Sequence, residues 1–233
     1  SREAWPLAIH GELAVIPVPY GVLCIGLGTA RDGGQRIWEH PVPEWNEIRT
    51  DFEQVAIAGE EGVYLVRRGE RVEMLNWNDG EVRWQRDFPG LTIAQLALAD
   101  DRLIVVGQND AIASVDARFG DDAHVLPPTA GTPLGAIVHA GTLLISTDAA
   151  LGGFDPTTLK PRWSQALRAL STWAPVANSP WVACRRQNDS DWVLVDARDG
   201  HLAAESPGAL GDMAVGALDG GQLLFAGFAL VTE

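Results

Sequence analysis

The sequence predicts an all-β protein, a β-propeller of about six four-stranded blades with the last blade incomplete. Three observations carry the prediction. Short apolar runs alternate with period two and are punctuated by Gly, Asn and Asp. A turn phrase recurs about every forty residues, and a second phrase, a pair of strands, occurs six times, once upstream of each turn phrase and once after the last.

The turn phrase reads LNWNDGEVRW at 75–84, SVDARFGDDAHV at 114–125, GFDPTTLKPRW at 153–163 and LVDARDGHLAA at 194–204. Its first turn residues, Asn76, Asp116, Asp155 and Asp196, are spaced by 40, 39 and 41 positions. An earlier copy, GTARDGGQRIW, sets Gly34 four residues before Trp38, as Gly80 stands before Trp84. Asp or Asn at the first position accepts hydrogen bonds from backbone amides two residues on. Gly four positions later supplies the positive φ that closes the turn. Trp38, Trp84 and Trp163 fill the aromatic slot that ends the phrase, with His124 and Ala204 in the other two copies. A Trp there is expected on an outer strand, its ring buried between neighbouring sheets.

The strand-pair phrase is apolar run, polar or glycine turn, apolar run: LAIHGELAVI at 7–16, VAIAGEEGVYLV at 55–66, LALADDRLIVV at 96–106, AIVHAGTLLI at 136–145, PVANSPWVAC at 175–184 and VGALDGGQLLF at 215–225. Combining the phrases places a single propeller domain over 1–233, with blades near 5–45, 52–90, 93–128, 133–168, 173–208 and 213–233. Only SQALRALS, at 164–171, suits a helical turn. Six strand pairs against five turn phrases leave the last blade short. Either the chain continues past 233 or another segment pairs with the exposed edge.

In its turn phrase the chain resembles the quinoprotein-like (PQQ-like) β-propeller repeats, whose blades end in Ala-x-Asp-x-x-x-Gly-x-x-x-Trp; VDARDG and NDGEVRW each carry part of it. That family includes pyrroloquinoline-quinone dehydrogenases and scaffold proteins that bind no cofactor, one of which assists outer-membrane protein assembly. The dehydrogenase branch holds its quinone with calcium, acidic and amide ligands, a stacked Trp and a disulfide between adjacent cysteines. Here Cys24 and Cys184 are far apart, and no calcium constellation maps onto a blade. The resemblance therefore implies a scaffold that binds protein partners, with no cofactor and no metal. The alternatives are a quinone-dependent dehydrogenase and a ligand-sensing propeller attached to a signalling or defence effector.

Composition narrows the classes further. Of the 233 residues 46% are hydrophobic, enough for a sizeable core, yet no run of eighteen apolar residues offers a membrane span. Seventeen Lys and Arg against 31 Asp and Glu give a net charge of -14, which repels nucleic-acid phosphates and anionic lipid. Cys24 and Cys184 form neither a metal pair nor a disulfide framework, and fall on the third strand of blade one and the second strand of blade five; both are expected as free thiols. Ser1 onwards shows no charged-then-apolar leader, so a secretion signal was removed or never present. The compartment stays open between extracytoplasmic, which the family implies, and cytoplasmic.

Candidate chemistry is sparse. GLGTARDGG begins like a dinucleotide fingerprint, but Arg31 stands at the third glycine and no helix follows. The five histidines have no metal-ligand spacing, although His10 and His139 occupy the same inner turn of two blades. The acidic turns DDRL, GEEG and FGDD read as solvated surface. One coincidence stands out: YLVRRGE and VACRRQND place Arg67, Arg68 and Arg185, Arg186 at equivalent positions of blades two and five. In a six-bladed ring those blades are opposite. Two arginine pairs at a channel mouth would frame a large anion or an acidic partner segment, and arginines capping exposed turns beside local acids are the plainer alternative.

Overall fold

The computed structural model describes residues 8–18, 21–28, 34–41, 56–67, 69–107, 111–126, 133–167, 170–176, 179–186, 192–206, 213–217 and 223–227. All twenty-two elements among them are strands, and each sheet is an antiparallel meander paired in chain order. The chain divides into two compact units, Ser1–Pro128 and Thr129–Glu233.

The first unit holds three four-stranded sheets. Sheet 1 is β1 (Ala8–His10), β2 (Leu13–Val18), β3 (Gly21–Gly26) and β4 (Gln35–Pro41). Sheet 2 is β5 (Ala56–Ala58), β6 (Val63–Arg67), β7 (Arg71–Leu75) and β8 (Val82–Asp87). Sheet 3 is β9 (Ile93–Ala99), β10 (Arg102–Gly107), β11 (Ile112–Asp116) and β12 (His124–Leu126). Their first strands, β1, β5 and β9, lie side by side.

In the second unit, sheet 4 is β13 (Pro133–His139), β14 (Thr142–Thr147), β15 (Leu151–Phe154) and β16 (Pro161–Gln165). Sheet 5 is β17 (Leu170–Pro175), β18 (Trp181–Arg186), β19 (Trp192–Asp196) and β20 (Leu202–Ser206). Sheet 6 is described over two strands, β21 (Met213–Ala217) and β22 (Leu223–Gly227). The expected pairing of its outer edge concerns residues beyond them. β17 begins at Leu170, inside the stretch that suits a helical turn. Residues 161–165 and 170–175 are strands instead: β18 pairs with Leu170 onwards, so sheet pairing overrides the local helical preference of SQALRALS.

The middle strands read as continuous apolar runs because both of their faces are buried. In β6, Val63 and Leu65 pack with Val15, Cys24 and Trp38 of sheet 1, while Tyr64 and Val66 pack with Leu103, Val105 and Val115 of sheet 3. Period two thus sends alternate residues of one strand to different cores. The same sandwiching in the second unit sets Leu144 and Leu151 of sheet 4 against Val182, Cys184 and Val193 of sheet 5. Outer strands are wetter: β8 alternates exposed and half-buried residues from Arg83 to Asp87.

The turn phrase resolves into one repeated device. Asn76, Asp116, Asp155 and Asp196 each accept the backbone N–H two residues on through Oδ1, at 3.1, 2.8, 3.0 and 2.9 Å. Five-residue closure follows, with the N–H of Gly80, Gly120, Leu159 and Gly200 donating to the carbonyl of the Asx residue. The glycines sit at φ of 72°, 70° and 75°, and Leu159 adopts 55° without being a glycine. Each of the three tryptophans lies over the glycine of the next sheet in its own unit: Trp38 over Gly80, Trp84 over Gly120 and Trp163 over Gly200, where an added Cβ would come within 2.6 or 2.7 Å of the indole. Each indole also donates to a carbonyl of the same turn, Trp38 Nε1 to Trp77 O at 2.7 Å, Trp84 Nε1 to Ala117 O at 3.1 Å and Trp163 Nε1 to Ala197 O at 3.0 Å. Two residues further on, Arg86 and Gln165 donate to the carbonyls of Gly120 and Gly200. Neighbouring sheets are therefore latched by ring cover and hydrogen bonds together.

Candidate functional site

Of the arginines singled out from the sequence, Arg67 and Arg185 take equivalent registers, each in its own unit. Arg67 and Arg185 are both the fifth residue of a second strand, opposite Arg71 and Trp192 respectively. Arg67 Nη1 donates to Glu73 Oε2 at 2.7 Å, and Glu73 is nearly fully buried on β7. His40 Nε2, from β4, lies 3.6 Å from the same oxygen. Arg67 therefore belongs to a buried cluster that neutralises Glu73 where sheets 1 and 2 pack. Arg185 is half-buried on β18. Arg68 and the side chain of Arg186 lie outside the described residues.

A cleft of about 740 Å³ lies elsewhere in the first unit. The end of β1 and three turns build it: β5–β6, β9–β10 and the Asx turn after β11. Side-by-side packing of β1, β5 and β9 brings their turns to one place. Tyr64 forms the floor. Its ring is fully buried, its hydroxyl donates to Ala117 O at 3.0 Å, and burial, with the nearby Glu61 carboxylate, pushes its pKa up to about 12. The floor is thus a neutral phenol whose proton is already committed. Gly59 permits it: a Cβ there would meet the Tyr64 ring at 2.8 Å.

Around this floor the lining is acidic with apolar edges. Glu60 and Glu61 come from the β5–β6 turn, Asp100 and Asp101 from the β9–β10 turn, and Asp116 from the end of β11. Asp116 is absorbed by its turn, accepting the N–H groups of Arg118 and Phe119 at 2.8 Å. Glu61 pairs with Arg83 at 3.1 Å and lies 3.9 Å from Arg118. Among the described residues Glu60, Asp100 and Asp101 make no ion pair. Ile9 and Phe119 project from the rim at 52% and 60% exposure, with the Arg118 guanidinium 5.2 Å above the Phe119 ring. His10, beside Ile9, stacks on Trp77 with ring centroids 5.1 Å apart.

Sequence reasoning took GEEG and DDRL as separate solvated turns. In the structure they converge, and the signal for this was present in the repeat register, since both occupy the first turn of consecutive blades. FGDD divides differently. Phe119 joins the cleft rim, whereas Asp122 satisfies the buried Arg102 through its carboxylate at 2.9 Å and its carbonyl at 2.6 Å.

The repeat resemblance raises the question of a quinone–calcium centre. No three His, Cys, Asp or Glu side chains among them converge to hold a metal. Cys24 and Cys184 are free and buried on β3 and β18, in different units, and burial raises both thiol pKa values, that of Cys184 to about 12. No helix among the described residues is long and apolar enough to cross a membrane.

Comparison with known proteins sets this architecture in context. BamB from Moraxella catarrhalis is 16% identical, with a TM-score of 0.58 over 97% of this chain and 76% of that one. A europium-containing methanol dehydrogenase is 11% identical, with a TM-score of 0.60 over 87% of this chain and 50% of its own. The WD40 domain of Neurospora crassa Pan2 is 14% identical, with a TM-score of 0.56 over 88% and 67%. The chain therefore spans about half the length of the methanol dehydrogenase, and the likeness at these identities is one of fold, that of the β-propeller. None of the curated proteins matches the chain in sequence. A family model described as outer membrane protein assembly factor BamB matches residues 27–225, most of the chain and all five copies of its turn phrase, and the protein belongs to that family of PQQ-like β-propellers.

Proposed function

We propose that this chain is a non-catalytic protein-binding module, a scaffolding part of a larger protein or complex. The observation that carries the reading is the form of the first-unit cleft. It is open and edged by the exposed side chains of Ile9 and Phe119, and its one buried hydroxyl, that of Tyr64, is already spent on a backbone carbonyl. Such a surface suits the side chains of a docked segment better than a small substrate needing a poised acid, base or nucleophile. The similarity to BamB, an assembly factor by its family description, supports the same class of role.

Two measurements on the full chain test it together. Binding to an array of peptides differing in charge and hydropathy is expected to show a restricted set of ligands, mapped by hydrogen exchange to a discrete surface. Titration with pyrroloquinoline quinone and calcium is expected to leave the quinone spectrum unchanged and to give no alcohol-dependent dye reduction. Quinone-dependent dye reduction would overturn the reading in favour of the dehydrogenase class.

A further inference from the structure

Resting on that protein-binding reading, we infer that the first-unit cleft receives a cationic segment of a partner protein, one in which Arg or Lys alternates with apolar side chains. Charge and shape agree on this occupant. Glu60, Asp100 and Asp101 face the cleft without an ion pair among the described residues, on two short turns held by strand pairing: Arg102 opposite Ala99, and Gly59 N–H to Gly62 O at 2.9 Å. The cation that does line the cleft, Arg118, is drawn toward Glu61 and over Phe119 and leaves those three carboxylates unbalanced. A guanidinium or ammonium from outside completes them. Apolar surface stands beside the charge, in the exposed Ile9 and Phe119 and the half-buried Leu98. Side chains of an extended segment point alternately to opposite sides, so successive residues can meet the two kinds of lining. A cavity of about 740 Å³ holds a few side chains and no folded domain. The field of a chain carrying a net charge of -14 adds long-range attraction for the same ligand.

The probe is a fluorescein-labelled nonapeptide of alternating Arg and Leu, followed by fluorescence anisotropy against the full chain. Its counterpart alternates Glu and Leu. Two charge-matched variants separate the cleft from the general acidity of the surface. E60Q/D100N neutralises cleft carboxylates, and Asn tolerates the φ of 49° at position 100. E70Q/E81Q neutralises two exposed acids away from the cleft. The Arg-Leu peptide is expected to bind, with protection from hydrogen exchange at 58–62 and 98–102. E60Q/D100N should weaken it roughly tenfold, E70Q/E81Q no more than about twofold, and F119S should weaken it even at high salt, where charge is screened. Equal weakening by both charge-matched variants would overturn the inference, as would protection confined to other surfaces. Binding of the Glu-Leu peptide at another site, with no binding of the Arg-Leu peptide, would sink the cleft assignment while leaving the protein-binding reading in place. Full competition by free arginine at low concentration would also refute it, because the occupant would then be a small cation.

Discussion

Gly120 offers a direct test of the latch between sheets. Its φ of 70° lies in the left-handed region, and an added Cβ would fall 2.7 Å from Cδ2 and Cε3 of Trp84. Gly120→Ala therefore incurs two separable costs. The backbone term is about 1–2 kcal/mol for an L-residue held at positive φ. The contact lies roughly an ångström inside normal carbon–carbon separation, so the indole must shift, at about 1–3 kcal/mol for overpacking. The sum is about 2–5 kcal/mol, against typical domain stabilities of about 5–15 kcal/mol. Gly90 supplies the control, with a φ of 79° and nothing within 4 Å of its Cβ position, so Gly90→Ala reports the backbone term alone. A second control removes the ring. In Trp84→Leu the Ala117 carbonyl keeps its bond from Tyr64, and Gly120→Ala in that background should fall back to the Gly90→Ala value. The assay is urea unfolding followed by circular dichroism, with the coupling taken from the double-mutant cycle. Identical losses for Gly120→Ala and Gly90→Ala with zero coupling to position 84 would refute the latch as a source of stability.

Three further outcomes are expected. Asp155, hydrogen-bonded to Arg162 and to the Thr158 amide, has its pKa lowered to about 2 from an ordinary 3.8. Its contribution to stability is therefore complete above about pH 4 and lost as pH falls toward 2. The stability gap between wild type and Asp155→Asn, measured by urea midpoints at falling pH, should close over that window, and a gap that persists to pH 2 would contradict the assignment. Cys24 and Cys184 are buried with raised pKa values, so a thiol reagent should label them only as fast as the protein opens and should find both after denaturation without reductant. Rapid labelling of the folded protein would contradict that. Finally, should Arg68 and Arg186 face an open mouth, replacing each with Ala is expected to weaken binding of an acidic partner segment in a salt-dependent way, and unchanged anisotropy titrations would count against their role.

Much of the fold was legible because its determinants are local. The Asx and Gly residues of the turns act within five positions, and strand alternation is read within a single run, so Asn76, Asp116, Asp155 and Asp196 appear in the structure with the roles their chemistry implies. Leu159 was not foreseen at a glycine site, because nothing in TTLKP marks a left-handed backbone. SQALRALS misled for the opposite reason: local preference favoured a helical turn, and pairing with β18 decided otherwise. The cleft was visible only in pieces. Each acidic turn looks like ordinary solvated surface until the packing of β1, β5 and β9 sets the turns together, and that neighbourhood is tertiary. Arg67 shows the same limit, since Glu73 sits in the apolar run RVEML and no sequence feature announces that it is buried and in need of a cation.

The latches also bear on how such a chain comes to be folded as it leaves the ribosome. Their donors and acceptors are separated by 39, 33 and 34 residues, close to one repeat and a small fraction of the whole length. After each of Trp38, Trp84 and Trp163, the next segment to emerge thus brings the turn that the waiting indole needs. Assembly can advance vectorially with short closures and little entropy spent on distant encounters. A nascent chain arrested between two repeats would expose one unsatisfied indole at its growing end, a sticky patch that a chaperone could recognise and that the following forty residues would erase.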